Sequence, residues 1–181
     1  MTEAAHPVLA VLADALSYPD ASTPALVARC AEAQAWAPPE AAADLRAFAG
    51  GLAGASLAAT QEQFIAAFDF DPKCTLDIGW HLFGENYDRG DFLVRLRGLL
   101  AAHGLDEGHE LPDYLPQVLR LLGRLPADTA ASLAAESVLP AVDKILEGLA
   151  SREGPYPHLL RSVRTVVSAL AHRPVEEARH V

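Results

Sequence analysis

The sequence is short of cysteine, of positive charge and of β-branched runs, and each shortage excludes something. Its two cysteines, Cys30 and Cys74, stand far apart in no metal-ligand or redox spacing. They read as ordinary reduced thiols, so neither a disulfide framework nor a zinc site is expected. With 14 Lys and Arg against 24 Asp and Glu, the formal net charge is −10. No basic patch is there to follow a phosphate backbone, and nucleic acid is not an expected partner. An acidic surface instead favours solubility and draws cationic partners. Valine, isoleucine and threonine never form a run of strand character, while alanine and leucine dominate, which points away from sheets and toward an all-helical fold. No apolar run approaches the roughly 20 residues of a membrane span. The start, Met1-Thr2-Glu3-Ala4-Ala5-His6-Pro7, has no basic segment ahead of an apolar one, so no secretory signal is expected and the expected compartment is the cytoplasm.

Chemistry-bearing motifs are missing too. There is no H-E-x-x-H, no E-x-x-H pair of the di-iron bundle kind and no phosphate-cradling G-x-x-x-x-G-K-[ST] loop. A nucleophile needs a base and an orienting group close by, and the 7 histidines are scattered with no such constellation. Asp69 and Asp71 have the chemistry for a divalent cation, although two loop aspartates are more often simply solvated. His81 has no partner at metal-ligand spacing and reads as a surface or capping histidine. No catalytic residue, metal or resident cofactor is expected. The chain reads as a binding module.

What is present is helix. A chain of 181 residues, 51% hydrophobic, suits one ordered domain with its own core. Val8, Leu9, Leu12 and Leu16 share one face of a first helix, stopped by Tyr18-Pro19-Asp20. Thr23-Pro24 opens a second helix that ends near Trp36. Pro38-Pro39-Glu40 opens a third, carrying Leu45 and Phe48 as far as Gly50-Gly51. Ser56 reads as the N-cap of a fourth, with Leu57, Phe64, Ile65 and Phe68. Phe68-Asp69-Phe70-Asp71-Pro72 breaks the pattern as a connector whose two phenylalanines plug the core. Helix is expected again from Thr75 to Phe83, with Leu76, Gly79, Trp80 and Phe83 on one face and Gly84 ending it. A glycine inside a helix costs about 1 kcal/mol, so Gly79 suggests close approach of another backbone, a neighbouring helix or a bound peptide. The next helix carries Phe92, Leu93, Leu96, Leu99, Leu100 and His103 on its apolar side, with Arg89, Arg95 and Arg97 on the other. Tyr114, Leu115, Val118, Leu119, Leu122 and Leu125 mark a further one, ended by Pro126. The span 127–150 is helical with a break or kink at Pro140 near Leu139, and Leu159, Leu160, Val163, Val166, Val167 and Leu170 line the last helix. The expected fold is a single all-α bundle of about eight to ten helices across residues 1–181, with residues 173–181 as a frayed tail.

Glu110-Leu111-Pro112-Asp113-Tyr114-Leu115-Pro116 stands apart, with two prolines, two carboxylates and a tyrosine in seven residues. Pro112 suits a helix entry, Asp113 can cap the free N–H groups there, and Pro116 falls in the first turn, where no N–H bond is due. Two readings stand: a rigid interhelical loop, or an acidic, partly exposed rim that holds a ligand.

Three of these segments together carry a resemblance. The run Phe68 to Gly84, especially Cys74-Thr75-Leu76 and His81-Leu82-Phe83-Gly84-Glu85, then Asp88-Arg89-Gly90, then Glu110 to Pro116, resembles the TorD/DmsD/NarJ chaperones of molybdoenzyme maturation. The E-x-P-D-[HY]-L-P form, the leucine-rich helix ending in Leu125-Pro126 and the Ser151-Arg152-Glu153-x-x-Tyr156 segment are most similar to the NarJ branch. The resemblance runs from about Phe64 to Leu170. It implies an all-α cytoplasmic chaperone that binds the N-terminal twin-arginine signal, or its remnant, on a molybdoenzyme catalytic subunit. Such chaperones hold the subunit until its molybdopterin guanine dinucleotide and iron–sulfur cluster are in place, and NarJ relatives serve the respiratory nitrate reductase. By position, the implied peptide-binding residues are Glu110, Pro112, Asp113 and Tyr114, with Leu76, Trp80, His81 and Phe83 opposite. Tyr114 stands where many relatives have histidine, which removes a titrating imidazole from that place. The resemblance leaves monomer and dimer both open. Leu76, Trp80 and Phe83 suit the apolar face of a docked helix, with Glu110 and Asp113 near its basic residues; Trp80 and Phe83 equally suit plain core. The alternatives are a chaperone for another dimethyl-sulfoxide-reductase-family enzyme, a helical regulator of unrelated partners, and a metal-dependent enzyme in a helical bundle.

Overall fold

Proline and serine set where the helices begin. The computed structural model describes residues 7–106 and 108–172; the expected tail, 173–181, and the first six residues lie outside the described residues. The helices are α1 (Pro7–Ala15), α2 (Thr23–Ala33), α3 (Pro39–Leu52), α4 (Leu57–Phe68), α5 (Ile78–Phe83), α6 (Tyr87–Ala102), α7 (Leu115–Leu122), α8 (Ala127–Leu133), α9 (Leu139–Gly148) and α10 (Tyr156–Ala171). Pro24, Pro39, Pro116, Pro140 and Pro157 each occupy the first turn of a helix, where the missing N–H has no partner to lose. Ser56 caps α4, its Oγ accepting from the Ala59 N–H at 3.2 Å.

α10 runs through the middle of this all-α bundle, packed on α3, α9, α8 and α1, while α1 also packs on α7 and α5 lies between α6 and α9. Leu159, Leu160, Val163, Val166 and Val167 are all buried, with Leu170 at the edge of the core. Each such side chain contributes about 1.5–3 kcal/mol by leaving water. Tyr156 opens α10 fully buried, with the rings of Phe48, Phe64 and Phe68 at 5.7, 5.5 and 5.1 Å. No helix among the described residues is long and apolar enough to cross a membrane.

Two expectations change and a third is refined. Phe68 plugs the core, but Phe70 is 76% exposed, because the connector turns outward after α4. The span 127–150 changes helix type near Leu139, as expected of a proline there, but does not end. A π turn, Ala134–Val138, joins α8 to α9, and the wider turn absorbs the proline whose N–H is missing from the ladder. The helix expected from Thr75 starts only at Ile78. A single 3-10 turn, Pro72–Cys74, precedes it, and Asp71 caps that turn through the Lys73 N–H at 2.9 Å. Asp71 also lies 3.6 Å from Arg152, which donates to the Ala66 carbonyl, so this aspartate already has partners within the chain.

Candidate functional site

The reason α5 starts late is its tie to the 110–116 segment. Leu76 C=O accepts from the Leu115 N–H at 2.8 Å, and Asp113 C=O accepts from the Ile78 N–H at 2.9 Å. The two bonds frame an isolated antiparallel bridge between Asp77 and Tyr114. An extended residue at Asp77 cannot also be helical, so the helix cannot begin before Ile78. The Tyr114 N–H closes a turn on the Leu111 carbonyl at 3.0 Å, with Pro112 in the second position, which its fixed φ suits. Pro112 is thus a turn residue; Pro116 is the proline inside the helix entry.

Asp113 was expected to cap its own helix from a partly exposed rim. It does neither. Its side chain is fully buried, and Oδ2 accepts from the Gly79 N–H at 3.1 Å and from Arg89 Nε and Nη2 at 3.2 and 3.0 Å. Gly79 is the second residue of α5, a position whose N–H lacks an intrahelical partner. Asp77, the residue in the N-cap position, makes no side-chain cap bond. The cap of α5 therefore arrives from the other end of the bridge. α5 has only six residues, too few to persist without such support.

Gly79 is needed for this geometry. A Cβ there would stand 2.6 Å from Asp113 Oδ2, 3.2 Å from the Phe92 ring and 3.3 Å from Arg89 Cγ. What approaches is a carboxylate, where another backbone was expected.

Arg89 was expected on the solvent side of α6, yet its side chain is only 19% exposed and turned toward Asp113. The spacing held the signal: Arg89, Phe92, Leu96 and Leu100 fall on one helical stripe, and the last three are buried. The guanidinium carbon lies 5.9 Å from the centre of the Trp80 ring, within cation–π range. Nη2 also lies 3.7 Å from Asp77 Oδ2. Burial, and after it the Asp113 charge, raise the Asp77 carboxyl above its ordinary value despite Arg89. Asp113 Oδ1 has no hydrogen-bond partner among the described residues.

The remaining expected residues divide. Leu76 is buried in the core, held there by the bridge beside it. Trp80, His81 and Phe83 are half-buried, with the Phe83 ring 5.4 Å from that of Phe92. Tyr114 is half-buried as well, its hydroxyl donating to the Leu16 carbonyl at 3.3 Å, and burial raises its pKa well above the usual phenol range. It pins the motif to the end of α1. His81 Nε2 lies 2.7 Å from the Thr75 carbonyl, which assigns that nitrogen the proton, and burial lowers its pKa. Trp80 and His81 also border an open groove of about 480 Å³ with Lys73, Lys144 and Glu147. Glu110 is exposed, Leu111 is 45% exposed and Tyr87, at the start of α6, is 94% exposed. Asp113 thus ties the segment carrying exposed Glu110 and Leu111 to α5, which carries half-buried Trp80 and Phe83, and to Arg89 of α6. No group of three or more His, Cys, Asp or Glu among the described residues could hold a metal.

Residues 33–156 match the family model described as nitrate reductase delta subunit. The nitrate reductase molybdenum cofactor assembly chaperone NarJ of Escherichia coli K12 is 31% identical over 126 residues, 66% of this chain and 53% of that protein. The probable NarJ chaperone of Bacillus subtilis is 29% identical over 118 residues, 65% and 62% of the two chains. The probable chaperone NarW of Escherichia coli K12 is 33% identical over 110 residues, 60% and 47%. The chain spans about half the length of the curated relatives it matches. With a family model over more than half its residues and relatives of one kind, the chain belongs to the nitrate reductase delta subunit family, on its NarJ branch.

Proposed function

We propose that this chain is an assembly chaperone that binds the N-terminal segment of a molybdoenzyme catalytic subunit, that of the respiratory nitrate reductase, and holds it in the cytoplasm for molybdenum cofactor insertion. Family membership supports the chaperone role. One structural observation supports the place: the buried Asp113 pins the 110–116 segment to α5 and α6. That clamp holds the segment carrying exposed Glu110 and Leu111 against the start of α5, the helix that carries half-buried Trp80 and Phe83. A surface already ordered loses little entropy on binding, and a net charge of −10 steers a basic segment toward it. The client segment docks as a helix, its apolar residues on Trp80, Phe83 and Leu111 and its basic ones near Glu110. Leu76 acts from beneath, by holding that surface in shape.

Calorimetry with a synthetic peptide of the nitrate reductase α-subunit N-terminus tests this. The wild-type chain is expected to bind it, and Trp80→Ala with Glu110→Lys to weaken binding at least about tenfold, or 1.4 kcal/mol. Unchanged affinity in that double variant, with its fold intact by circular dichroism, refutes the placement. Absence of any binding by the wild type refutes the function.

A further inference from the structure

Two carboxylates and an aromatic face around one position make a receptor for a guanidinium, whose planar fork takes charge-assisted bonds at its edge while its face stacks. Asp113, Asp77 and Trp80 surround such a position, and the chain's own Arg89 fills it. The filling is incomplete. Both Arg89 bonds to Asp113 fall on Oδ2, where the Gly79 N–H also donates, while Oδ1 is buried without a partner among the described residues. Two carboxylates share one cation. A carboxylate that is 0% exposed with an orphan oxygen has capacity for a better-placed donor.

Arg89 is also placed to leave. It is the third residue of α6, on a long flexible stem, with 19% of its side chain already in water. Around it Glu85, Tyr87, Asp88, Gly90 and Asp91 are exposed, so a guanidinium swung outward meets solvent and acidic neighbours. Removing it without replacement would strand a buried charge; replacing it with another guanidinium would not.

We infer that Asp113, Asp77 and Trp80 form a guanidinium site that Arg89 occupies in the free chain and yields to an arginine side chain of the bound segment. This rests on the peptide-holding reading above. Arg89 is then an internal competitor. It keeps Asp113 paired while the chaperone is empty, and it lowers the apparent affinity by the fraction of chains in which the site is closed. A segment that lacks arginine gains nothing from the site.

The test uses Arg89→Ala in the full chain, read two ways. Ethylguanidinium at non-denaturing concentration is expected to raise the melting temperature of Arg89→Ala and leave the wild type unmoved, with ethylammonium inactive on both. The client N-terminal peptide is expected to bind Arg89→Ala about tenfold tighter than wild type, and the gain to vanish when the peptide's arginines are changed to glutamine. If Arg89→Ala does not fold, Arg89→Lys, which keeps the charge and loses the fork, takes its place in both readings. Equal peptide affinity in wild type and variant overturns this inference and leaves the chaperone reading standing. Peptide binding by neither protein overturns the chaperone reading; the ethylguanidinium response then decides the site, and no response overturns it.

Discussion

Gly79 and Asp113 meet across 34 positions of chain: the Gly79 N–H donates to Asp113 Oδ2 at 3.1 Å, and a Cβ on Gly79 would stand 2.6 Å from the same oxygen. Helix propensity alone favours alanine there by about 1 kcal/mol. The displaced carboxylate and the lost cap outweigh it, so Gly79→Ala is expected to lower stability by about 2 kcal/mol. Urea unfolding measures this, and a stabilised variant would contradict the contact.

Asp113→Ala separates a clamp from a simple cap. Losing a cap costs about 1 kcal/mol. Losing the partner of a guanidinium that is only 19% exposed costs more, about 3 kcal/mol, the low end for a broken buried pair because Arg89 still touches water. Asp113→Asn keeps an acceptor for the Gly79 N–H and is expected to fall between. A loss near 1 kcal/mol for Asp113→Ala would return the residue to capping alone.

Asp77 is expected to weaken the fold when charged. Burial and Asp113 raise its carboxyl above the ordinary 3.8, and Arg89 does not offset them. The folded chain holds this proton more tightly than the unfolded one, so stability is lost as pH rises from 3.8 through the folded value. Asp77→Asn should therefore be more stable than wild type near neutral pH and converge with it on acidification. Denaturation midpoints across that range check the sign.

His81 acts in the opposite sense. Burial lowers its pKa from 6.5, so the unfolded chain takes up the proton first and stability falls as pH drops from 6.5 through the folded value. His81→Gln is expected to flatten that part of the acid profile, read from melting temperatures in matched buffers.

Two other glycines give opposite outcomes. A Cβ on Gly148 would stand 2.5 Å from the Lys73 carbonyl oxygen and 3.0 Å from Cys74 Sγ, which forces α9 away from the Pro72–Cys74 turn. Gly148→Ala is expected to destabilise by about 2 kcal/mol. Gly98, in α6, has nothing within 4 Å of that place, and Gly98→Ala is expected to stabilise by about 0.5–1 kcal/mol. Calorimetric unfolding of both settles the contrast.

Much of the fold was legible because its signals are local. The Leu159 to Val167 stripe repeats within one helix, Ser56 caps three residues ahead, and the first-turn prolines announce α2, α3 and α7. The site was legible in part. Its motif stood out by composition, and Gly79 advertised a close approach. Arg89 was misread, although its place on the Phe92–Leu96–Leu100 stripe pointed inward, because arginine is taken by default as a surface residue. The late start of α5 had no local sign, since the bridge that delays it pairs Asp77 with Tyr114.

The amino-acid sequence determined by itself that this protein is helical, acidic and equipped with a distinctive Glu110–Pro116 segment, because periodicity, charge and turn chemistry act between near neighbours. Only the tertiary structure decided what that segment does. Asp113 has no local partner; its carboxylate meets Gly79 and Arg89 after the chain has folded back on itself. Capping one helix from the entry of another, and burying a charge against an arginine from a third, depend on distance in space, which spacing along the chain does not encode. What looked like an exposed acidic rim is a buried clamp, with Glu110 as its outer edge.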